Sequence, residues 1–201
     1  MFGILASVSS AVLLISNLAA GKLWNFFGTA VDGGIIIFPL TYIIGDLVVG
    51  LYGERKANLL VFVSMLMNLL MVLVMYVVTY HLPAFSGWEG QTAFETVFGA
   101  VNRITVGSLA GYLLSNLLNN HVFVKIGSGF LGKALGSSVV SRLVDNLVFE
   151  TIAFLGILPF SEFLKQAAFA YFAGMILEVC LSPLSKLVYQ GLKASKLYTS
   201  A

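Results

Sequence analysis

The chain has 201 residues, of which 59% are hydrophobic and only 10% are charged. Soluble domains carry about 25% charged residues, so this composition excludes a water-soluble fold. The formal net charge of +2, from 11 basic and 9 acidic residues, is too small and too balanced to indicate a nucleic-acid partner. We therefore expect an integral membrane protein surrounded by the lipid bilayer.

Six apolar segments are long enough, or nearly so, to cross a bilayer core of about 30 Å, which needs roughly 20 helical residues. They predict an all-α integral membrane protein with six transmembrane helices, forming a single domain over residues 1–201. The first segment lacks the basic start of a signal peptide, and we expect it to be retained. The predicted spans cover residues 3–20, 35–52, 57–80, 96–119, 133–156 and 166–190.

The segment between the first two spans, residues 21–34, is rich in aromatic residues and glycine. It contains Trp24, Phe26 and a Gly33-Gly34 pair. Aromatic side chains concentrate at the boundary between lipid and water. The segment is therefore more typical of an interfacial hairpin or a re-entrant segment than of a free loop.

Lysine and arginine residues in the predicted loops are unevenly divided between the two sides of the membrane. Cytoplasmic loops carry the excess of such residues, so the richer side predicts that both termini are cytoplasmic. Lys22 and Lys165 lie on the poorer side. The richer side carries Arg55, Lys56, Lys125, Lys133, Lys186, Lys193 and Lys196. We expect a multi-pass protein of the cell membrane.

Charged side chains inside the spans are the strongest indication of function. Each costs roughly 2.5–3.5 kcal/mol at the centre of a spanning helix, so each is expected to face protein or water. Two interpretations stay open, since the charges could neutralise one another during helix packing or could form a polar binding site. Packing alone needs only small residues, which favours a site. The fifth span places Arg142, Asp145 and Asn146 on one helical face, with Phe149 alongside and Glu150 four residues beyond Asn146.

The second span places Pro39 and Gly45 around an acid, Asp46. Pro39 would free a backbone carbonyl, and broken helices of this kind form transporter sites near the membrane midplane. Phe38 and Tyr42 lie one turn apart beside the carboxylate. Two rings and a carboxylate suit a flat heterocycle with parallel N–H groups, although plain core packing stays an alternative for the rings.

Asp46 and Asp145 occupy the middle helix of each half of the chain. This placement is compatible with a three-plus-three internal repeat, which is a common transporter arrangement. Glu178, like Glu150, is interpreted as lying nearer the end of its span, where a solvated or snorkelling side chain is an equal alternative.

Several short stretches between about residues 10 and 190 resemble a known family. They are residues 16–18, 38–47, 51–53, 102–104, 121–123 and 145–149. The most specific element is a proline and an aromatic-rich turn, then Gly45-Asp46, followed by Tyr52-Gly53 and two basic residues. In this order the stretches resemble the queuosine-precursor transporters, also called the vitamin uptake transporter family.

The resemblance implies import of 7-cyano-7-deazaguanine, 7-aminomethyl-7-deazaguanine or queuine for tRNA modification, without a known ATPase. It also adds Asn17 to the candidate site. Two departures from the family pattern leave the precursor open. Many members have Thr-Glu where this chain has Val49-Gly50, and many have Asp-Thr where it has Asp145-Asn146.

These residues together predict a substrate site between the second and fifth spans, near the midplane. The two aspartates would accept hydrogen bonds, two arginines would keep them ionised, and three rings would stack on a purine-like 7-deazaguanine. Asn146 would read a carbonyl or an amine. The predicted site residues are Asn17, Phe38, Tyr42, Asp46, Arg103, Arg142, Asp145, Asn146, Phe149 and Glu150.

Two other functions stay open. The substrate-binding subunit of an energy-coupling-factor vitamin importer would dock its partner through small residues at four-residue spacing, of which Ala6 and Ser10 form a fragment. An intramembrane enzyme would use Ser108, but a serine needs a base, and His81 and His121 lie in loops predicted on opposite sides. We expect no catalytic residue.

We also expect no metal and no cofactor. Cys180 is the single cysteine, and no spacing of cysteine or histidine matches a zinc or iron–sulfur site. A homodimer stays open, because the small residues from Gly107 to Gly111 could pack within one chain or between two.

Overall fold

The computed structural model describes residues 1–195, except the side chains of residues 100–102. Within this part the chain forms six α-helices and one short hairpin, so the predicted all-α membrane fold is confirmed. Lys196 lies outside the described residues, as does the side chain of Asn102. The helices are α1 (Phe2–Ala20), α2 (Pro39–Tyr52), α3 (Glu54–Tyr80), α4 (Gln91–Lys125), α5 (Phe130–Phe154) and α6 (Phe160–Ser195), and the strands are β1 (Leu23–Phe26) and β2 (Thr29–Asp32).

Four of these helices, α1, α3, α4 and α6, are long and apolar enough to cross a bilayer. Helix α2 has 14 residues. At 1.5 Å per residue it extends only about 21 Å. Helix α5 has 25 residues, and its buried face is polar and charged, as expected for a face that packs against protein. Val139, Val140, Leu143 and Leu147 are exposed on its surface. Six spans and the internal repeat stay predictions.

The predicted hairpin between the first two helices is present, as an antiparallel pair of β1 and β2. Phe27 and Gly28 at its turn have φ values of 48° and 85°. Positive φ at both central residues is the pattern of a type I′ turn, which matches the twist of paired strands. The Phe26 ring lies 5.1 Å from the Phe169 ring, so the hairpin packs against α6.

The start of α2 differs from the predicted kinked span. Gly33–Ile36 form a separate 3-10 turn, and Pro39 is the first residue of α2 rather than an interior one. Proline fits this position because its missing N–H has no helical partner there. A Cβ atom at Gly34 would lie 2.8 Å from the backbone oxygen of Ser16, so the turn approaches α1 closely.

Helices α4 and α5 form the most extensive contact in the described residues. Added Cβ atoms at Gly107 and Gly111 would lie 3.2 Å and 3.0 Å from the backbone oxygens of Phe149 and Asp145. Small residues allow such close approach of membrane helices. This small-residue face is therefore used for packing within the chain.

One end of the bundle, here called the basic end, collects the starts of α1, α3 and α5 and the end of α6. The Lys56 ammonium lies 5.1 Å from the centre of the Phe2 ring. The Phe130 and Tyr189 rings stack at 4.3 Å, beside Gly50. The opposite end carries the hairpin and is called the hairpin end. The assignment of the basic end to the cytoplasm stays a prediction.

Candidate functional site

A cavity lies between α1, the hairpin, the start of α2, and helices α4, α5 and α6. The cavity, together with the open space at its entrance, has a volume of about 630 Å³. Its walls come from the later part of α1 and α5 and the earlier part of α6, so it lies toward the hairpin end. It is lined by Ser16, Asn17, Ala20, Asp32, Gly34, Ile35, Phe38, Pro39, Ser108, Arg142, Asp145, Asn146, Phe149, Glu150, Ala170, Tyr171 and Gly174.

The structure brings most of the predicted site residues together around this cavity. The position differs from the prediction, because the walls come from five helices and the hairpin rather than from the second and fifth spans alone. The residues that line the cavity are Asn17, Phe38, Arg142, Asp145, Asn146, Phe149 and Glu150. The predicted residues that do not line it are Tyr42, Asp46 and Arg103.

Asp145 is the central acid of the cavity. It is buried on α5 against Gly111, and its Oδ1 atom has no hydrogen-bond partner among the described residues. The hydroxyl groups of Tyr42 and Ser115 neighbour the same carboxylate. A buried acceptor without a donor costs about 1–3 kcal/mol, so the Asp145 carboxylate is not fully satisfied by hydrogen bonds within the described residues.

Two further carboxylates, Glu150 and Asp32, line the cavity near each other. Gln166 donates a 3.1 Å hydrogen bond to Glu150 Oε2, while Glu150 Oε1 has no partner in the described part of the chain. Asp32 Oδ1 accepts a 2.8 Å hydrogen bond from the backbone N–H of Gly34. Burial raises the pKa of the Asp32 carboxyl from 3.8 to about 6. The cavity is therefore rich in acceptors.

Arg142 on α5 is the cation of the cavity wall. Its Nε donates a hydrogen bond to Glu178 of α6, and its guanidinium lies 4.2 Å from the centre of the Tyr42 ring. A Cβ atom at Gly174 would lie 2.8 Å from Arg142 Nη1, so the glycine leaves room for the arginine. Its Nη2 has no acceptor among the described residues and can donate to a ligand.

Of the two alternatives left open for Glu178, the solvated or snorkelling side chain is wrong. Glu178 lies in the middle of α6, is 2% exposed and forms an ion pair with Arg142. Burial of a carboxylate is tolerated only when it is paired or neutralised, and the guanidinium provides that pairing.

The predicted stacking role of Tyr42 is also wrong. Its ring is fully buried, one face is covered by Arg142, and its hydroxyl donates a 3.1 Å hydrogen bond to Ser115. The Tyr42 ring therefore packs against the Arg142 guanidinium and has no face free to contact a ligand.

Asp46 lies behind the cavity wall rather than in it. It is 3% exposed, and Asn119 Nδ2 donates a 2.8 Å hydrogen bond to its Oδ1. Asn119 Oδ1 in turn accepts a 3.1 Å hydrogen bond from Ser141. The rotation of α2 about its axis turns Asp46 toward α4 and α5, so the predicted ligand contact is corrected.

Arg103 forms no ion pair with an acid of the described residues. Its side chain is exposed and donates 2.7 Å hydrogen bonds to the backbone oxygens of Ile152 and Leu155. The last carbonyl groups of a helix have no partner within it, and basic side chains often bond to them. Arg103 caps the end of α5 and is corrected to a structural role.

The remaining predicted residues form the side walls. Asn17 Nδ2 donates a 2.8 Å hydrogen bond to Asn68 of α3, which fixes its position on α1. Phe38 and Phe149 place partly exposed rings at the cavity, and Asn146 places its amide there. The cavity thus offers two rings for stacking and amides for polar recognition.

Ser108 lines the cavity, but neither histidine does. His121 Nδ1 lies 3.2 Å from a carboxylate oxygen of Glu54, and the His81 ring packs 5.4 Å from the Tyr76 ring. Among the residues that line the cavity, Ser108 therefore has no histidine to act as its base.

The two departures from the family pattern have different surroundings. Asn146 lines the cavity. Gly50 does not line it. A Cβ atom there would lie 3.0 Å from Tyr189 and 3.1 Å from Phe130, so this glycine bears on packing at the basic end.

A family model described as "Putative vitamin uptake transporter" matches residues 32–188, which is most of the chain and most of the cavity lining. The chain belongs to the vitamin uptake transporter family. The resemblance noted from the short stretches is thereby confirmed. No solved structure matches the chain.

Three curated relatives are similar to the chain. The "Probable queuosine precursor transporter" of Bacillus subtilis (strain 168) is 32% identical over 150 residues, which are 72% of this chain and 65% of the relative. The protein of that name from Haemophilus influenzae is 28% identical over 71% of this chain and 58% of the relative. The "Queuosine precursor transporter" of Escherichia coli (strain K12) is 26% identical over 71% and 64%. The chain thus spans slightly less than two thirds of the length of these relatives.

Proposed function

We propose that this protein is a membrane transporter that imports a queuosine precursor, a 7-deazaguanine base, as a single transport domain over residues 1–201. Membership of the vitamin uptake transporter family supports transport, and the names of three relatives support the substrate class. The chemistry of the cavity supports a ligand of this kind.

The observation that carries the proposal is a pair of buried atoms without a partner in the described part of the chain, on two residues that line the cavity. Asp145 Oδ1 is an acceptor without a donor, and Arg142 Nη2 is a donor without an acceptor. A guanine-type edge presents N–H groups beside a carbonyl oxygen. Asp145 would accept the N–H groups, as carboxylates do in paired hydrogen bonds, and Arg142 would donate to the carbonyl.

The rings of Phe38 and Phe149 would stack on the flat base, an arrangement worth about 0.5–1.5 kcal/mol per ring pair beyond burial. Asn17, Asn146 and Glu150 would contact its remaining polar groups. Nothing in this arrangement needs a metal, a cofactor or a catalytic residue.

The proposal is tested in cells that cannot synthesise the precursor. Expression of this protein is expected to restore queuosine in tRNA when 7-cyano-7-deazaguanine, 7-aminomethyl-7-deazaguanine or queuine is supplied at a low concentration. The measurement is the queuosine content of hydrolysed tRNA by mass spectrometry, with an empty vector as control. Queuosine at the level of the empty vector with all three compounds would contradict the proposed substrate class.

The charge of the cavity ranks these compounds. Asp32, Asp145 and Glu150 line it, while Arg142 is the one basic side chain among its described lining residues. The aminomethyl compound carries an amine that is protonated near neutral pH, as in lysine, whereas the cyano compound is neutral. We therefore expect unlabelled aminomethyl compound to compete for uptake at a lower concentration than the cyano compound. Stronger competition by the cyano compound would refute this ranking.

Gly111→Ala tests whether the contact between α4 and α5 positions Asp145. The added Cβ atom would lie 2.7 Å from Asp145 Oδ1, so the carboxylate or the helix must shift. Overpacking of this kind costs about 1–3 kcal/mol. We expect uptake of the labelled base to fall at least tenfold at equal expression.

The matched control is Gly191→Ala on α6, where an added Cβ atom meets nothing within 4 Å. This variant is expected to transport like the unmodified protein. Equal uptake by the Gly111 and Gly191 variants would show that the close approach of α4 to α5 at Gly111 is not needed to position Asp145.

One observation keeps the energy-coupling-factor alternative open. An apolar groove between α1 and α3 is lined on the α1 side by small residues, Ala6, Ser7, Ser10 and Ala11. Such a groove could seat a coupling subunit. Purification of the tagged protein from its native membrane with an ATPase pair bound would favour that function.

A further inference from the structure

Three buried carboxylates, those of Glu178, Asp145 and Asp46, lie near Arg142. Its Nε donates to Glu178 of α6. The Asp145 carboxylate is close enough to the guanidinium for their charges to interact. The Asp46 carboxylate of α2 is close enough to interact with the charges of both Arg142 and Glu178. The other ion pairs of the described residues, Lys165 with Glu162 and His121 with Glu54, involve none of these groups.

The charges of this cluster do not balance when all three acids are ionised. One guanidinium against three carboxylates leaves two uncompensated negative charges inside a membrane protein. A buried charge without a partner is neutralised by a proton rather than kept. Glu178 bonds directly to Arg142, and Asp145 faces the ligand, whereas the hydrogen bond given for Asp46 comes from the neutral amide of Asn119. Asp46 is the acid of the three that is most readily kept neutral.

The groups that surround Asp46 leave no other charge to balance it. On α4 Asn119 donates a hydrogen bond to it, and the charged groups that interact with it are Arg142 of α5 and Glu178 of α6. Helix α1 contains no titratable side chain, and those of α3 lie in its first turn and its last two turns. Unpaired atoms mark the cluster as incomplete, since Glu178 Oε1 has no donor and Arg142 Nη2 has no acceptor in the described part of the chain.

We propose that Asp46 is a proton-binding site and that uptake of the substrate is coupled to the entry of a proton. This inference rests on the proposed function. When Asp145 binds the N–H groups of the substrate it must be ionised, and it then draws on the positive charge of Arg142. Less of the positive charge of Arg142 is then left to offset the carboxylates of Asp46 and Glu178. A proton that binds to an Asp46 carboxylate oxygen restores the charge balance. The same O–H bond breaks when the proton is released on the opposite side of the membrane.

The test uses the purified protein in liposomes with labelled 7-aminomethyl-7-deazaguanine. The membrane potential is clamped with potassium and valinomycin, the internal pH is held at 7.5, and the external pH is varied from 5.5 to 7.5. We expect the unmodified protein to accumulate the base above its external concentration when the outside is acidic. We expect Asp46→Asn to keep downhill counterflow within about twofold but to lose accumulation and the dependence on external pH.

Glu162→Gln is the matched control, because it makes the same chemical change in an exposed ion pair of α6. It is expected to retain accumulation. A second measurement needs no variant: addition of unlabelled base outside should acidify the lumen, as reported by a trapped pH dye.

Downhill transport that ignores the pH gradient in the unmodified protein would overturn the inference while leaving the proposed function intact. Accumulation by Asp46→Asn would overturn the assignment to Asp46. Absence of transport of any 7-deazaguanine under every gradient would overturn the proposed function, and the inference with it.

Discussion

Replacing Asp145 with asparagine is expected to lower uptake of the 7-deazaguanine base about 10- to 100-fold. Hydrogen bonds to charged groups contribute about 1.5–3 kcal/mol, and each 1.4 kcal/mol corresponds to a tenfold change in binding. Asparagine has the shape of aspartate, but its amide can set a donor against the N–H groups of the ligand. The measurement is the initial rate of labelled uptake over a range of substrate concentrations.

Because aspartate and asparagine have nearly the same size, this substitution is expected to change ligand binding without disturbing the fold. Asp145→Asn should elute from a sizing column as the unmodified protein does, with an unfolding temperature that is no lower, because it removes a buried charge. Uptake within twofold of the unmodified protein, at equal amounts in the membrane, would remove Asp145 from the binding site.

Arg142→Gln is expected to abolish uptake and to lower the free energy of unfolding by about 3–5 kcal/mol. The substitution leaves Glu178 buried without its cation, which is the costly way to break a buried ion pair. It also removes the Nη2 donor from the cavity and uncovers the Tyr42 ring. The measurements are denaturant unfolding in detergent and the uptake assay.

The double variant Arg142→Gln with Glu178→Gln separates the effect on stability from the effect on uptake. Neutral glutamines at both positions can bond to each other, so most of the lost stability should return. Uptake should not return, because the guanidinium donor is still gone. A double variant no more stable than the single one would show that the ion pair is not the source of the destabilisation.

Hydropathy was sufficient to place the helices of the chain, because lipid-facing segments must be apolar over their whole length. It could not place the start of α2. The predicted second span joined residues 35–52 into one helix, whereas the structure separates Gly33–Ile36 from a helix that begins at Pro39. Proline and glycine signal a break, but whether the chain kinks or restarts depends on contacts with α1 that local sequence does not contain.

The part of the site that lies on α5 was predictable because helical periodicity alone places Arg142, Asp145 and Asn146 on one face. Residues on other helices were not, since hydropathy says nothing about how each helix is rotated against its neighbours. For this reason Asp46 was predicted to face the ligand but lies behind the cavity wall, and the burial of Glu178 against Arg142 was not predicted. Asp32 was missed because its burial comes from packing of the hairpin; an acid directly before a Gly-Gly pair was the available signal.

The stacked rings of Phe130 and Tyr189 hold the start of α5 against the last part of α6. An aromatic pair such as Phe130 and Tyr189 contributes about 0.5–1.5 kcal/mol beyond the burial of its surface, which is at most about a tenfold bias. Gly50, which lies beside the two rings, has no side chain to pack against them. A ligand bound beside α5, whose first residue is Phe130, would offset this contribution only through a difference in its affinity for the two arrangements of the rings, and about 1.4 kcal/mol of such a difference would be a tenfold bias.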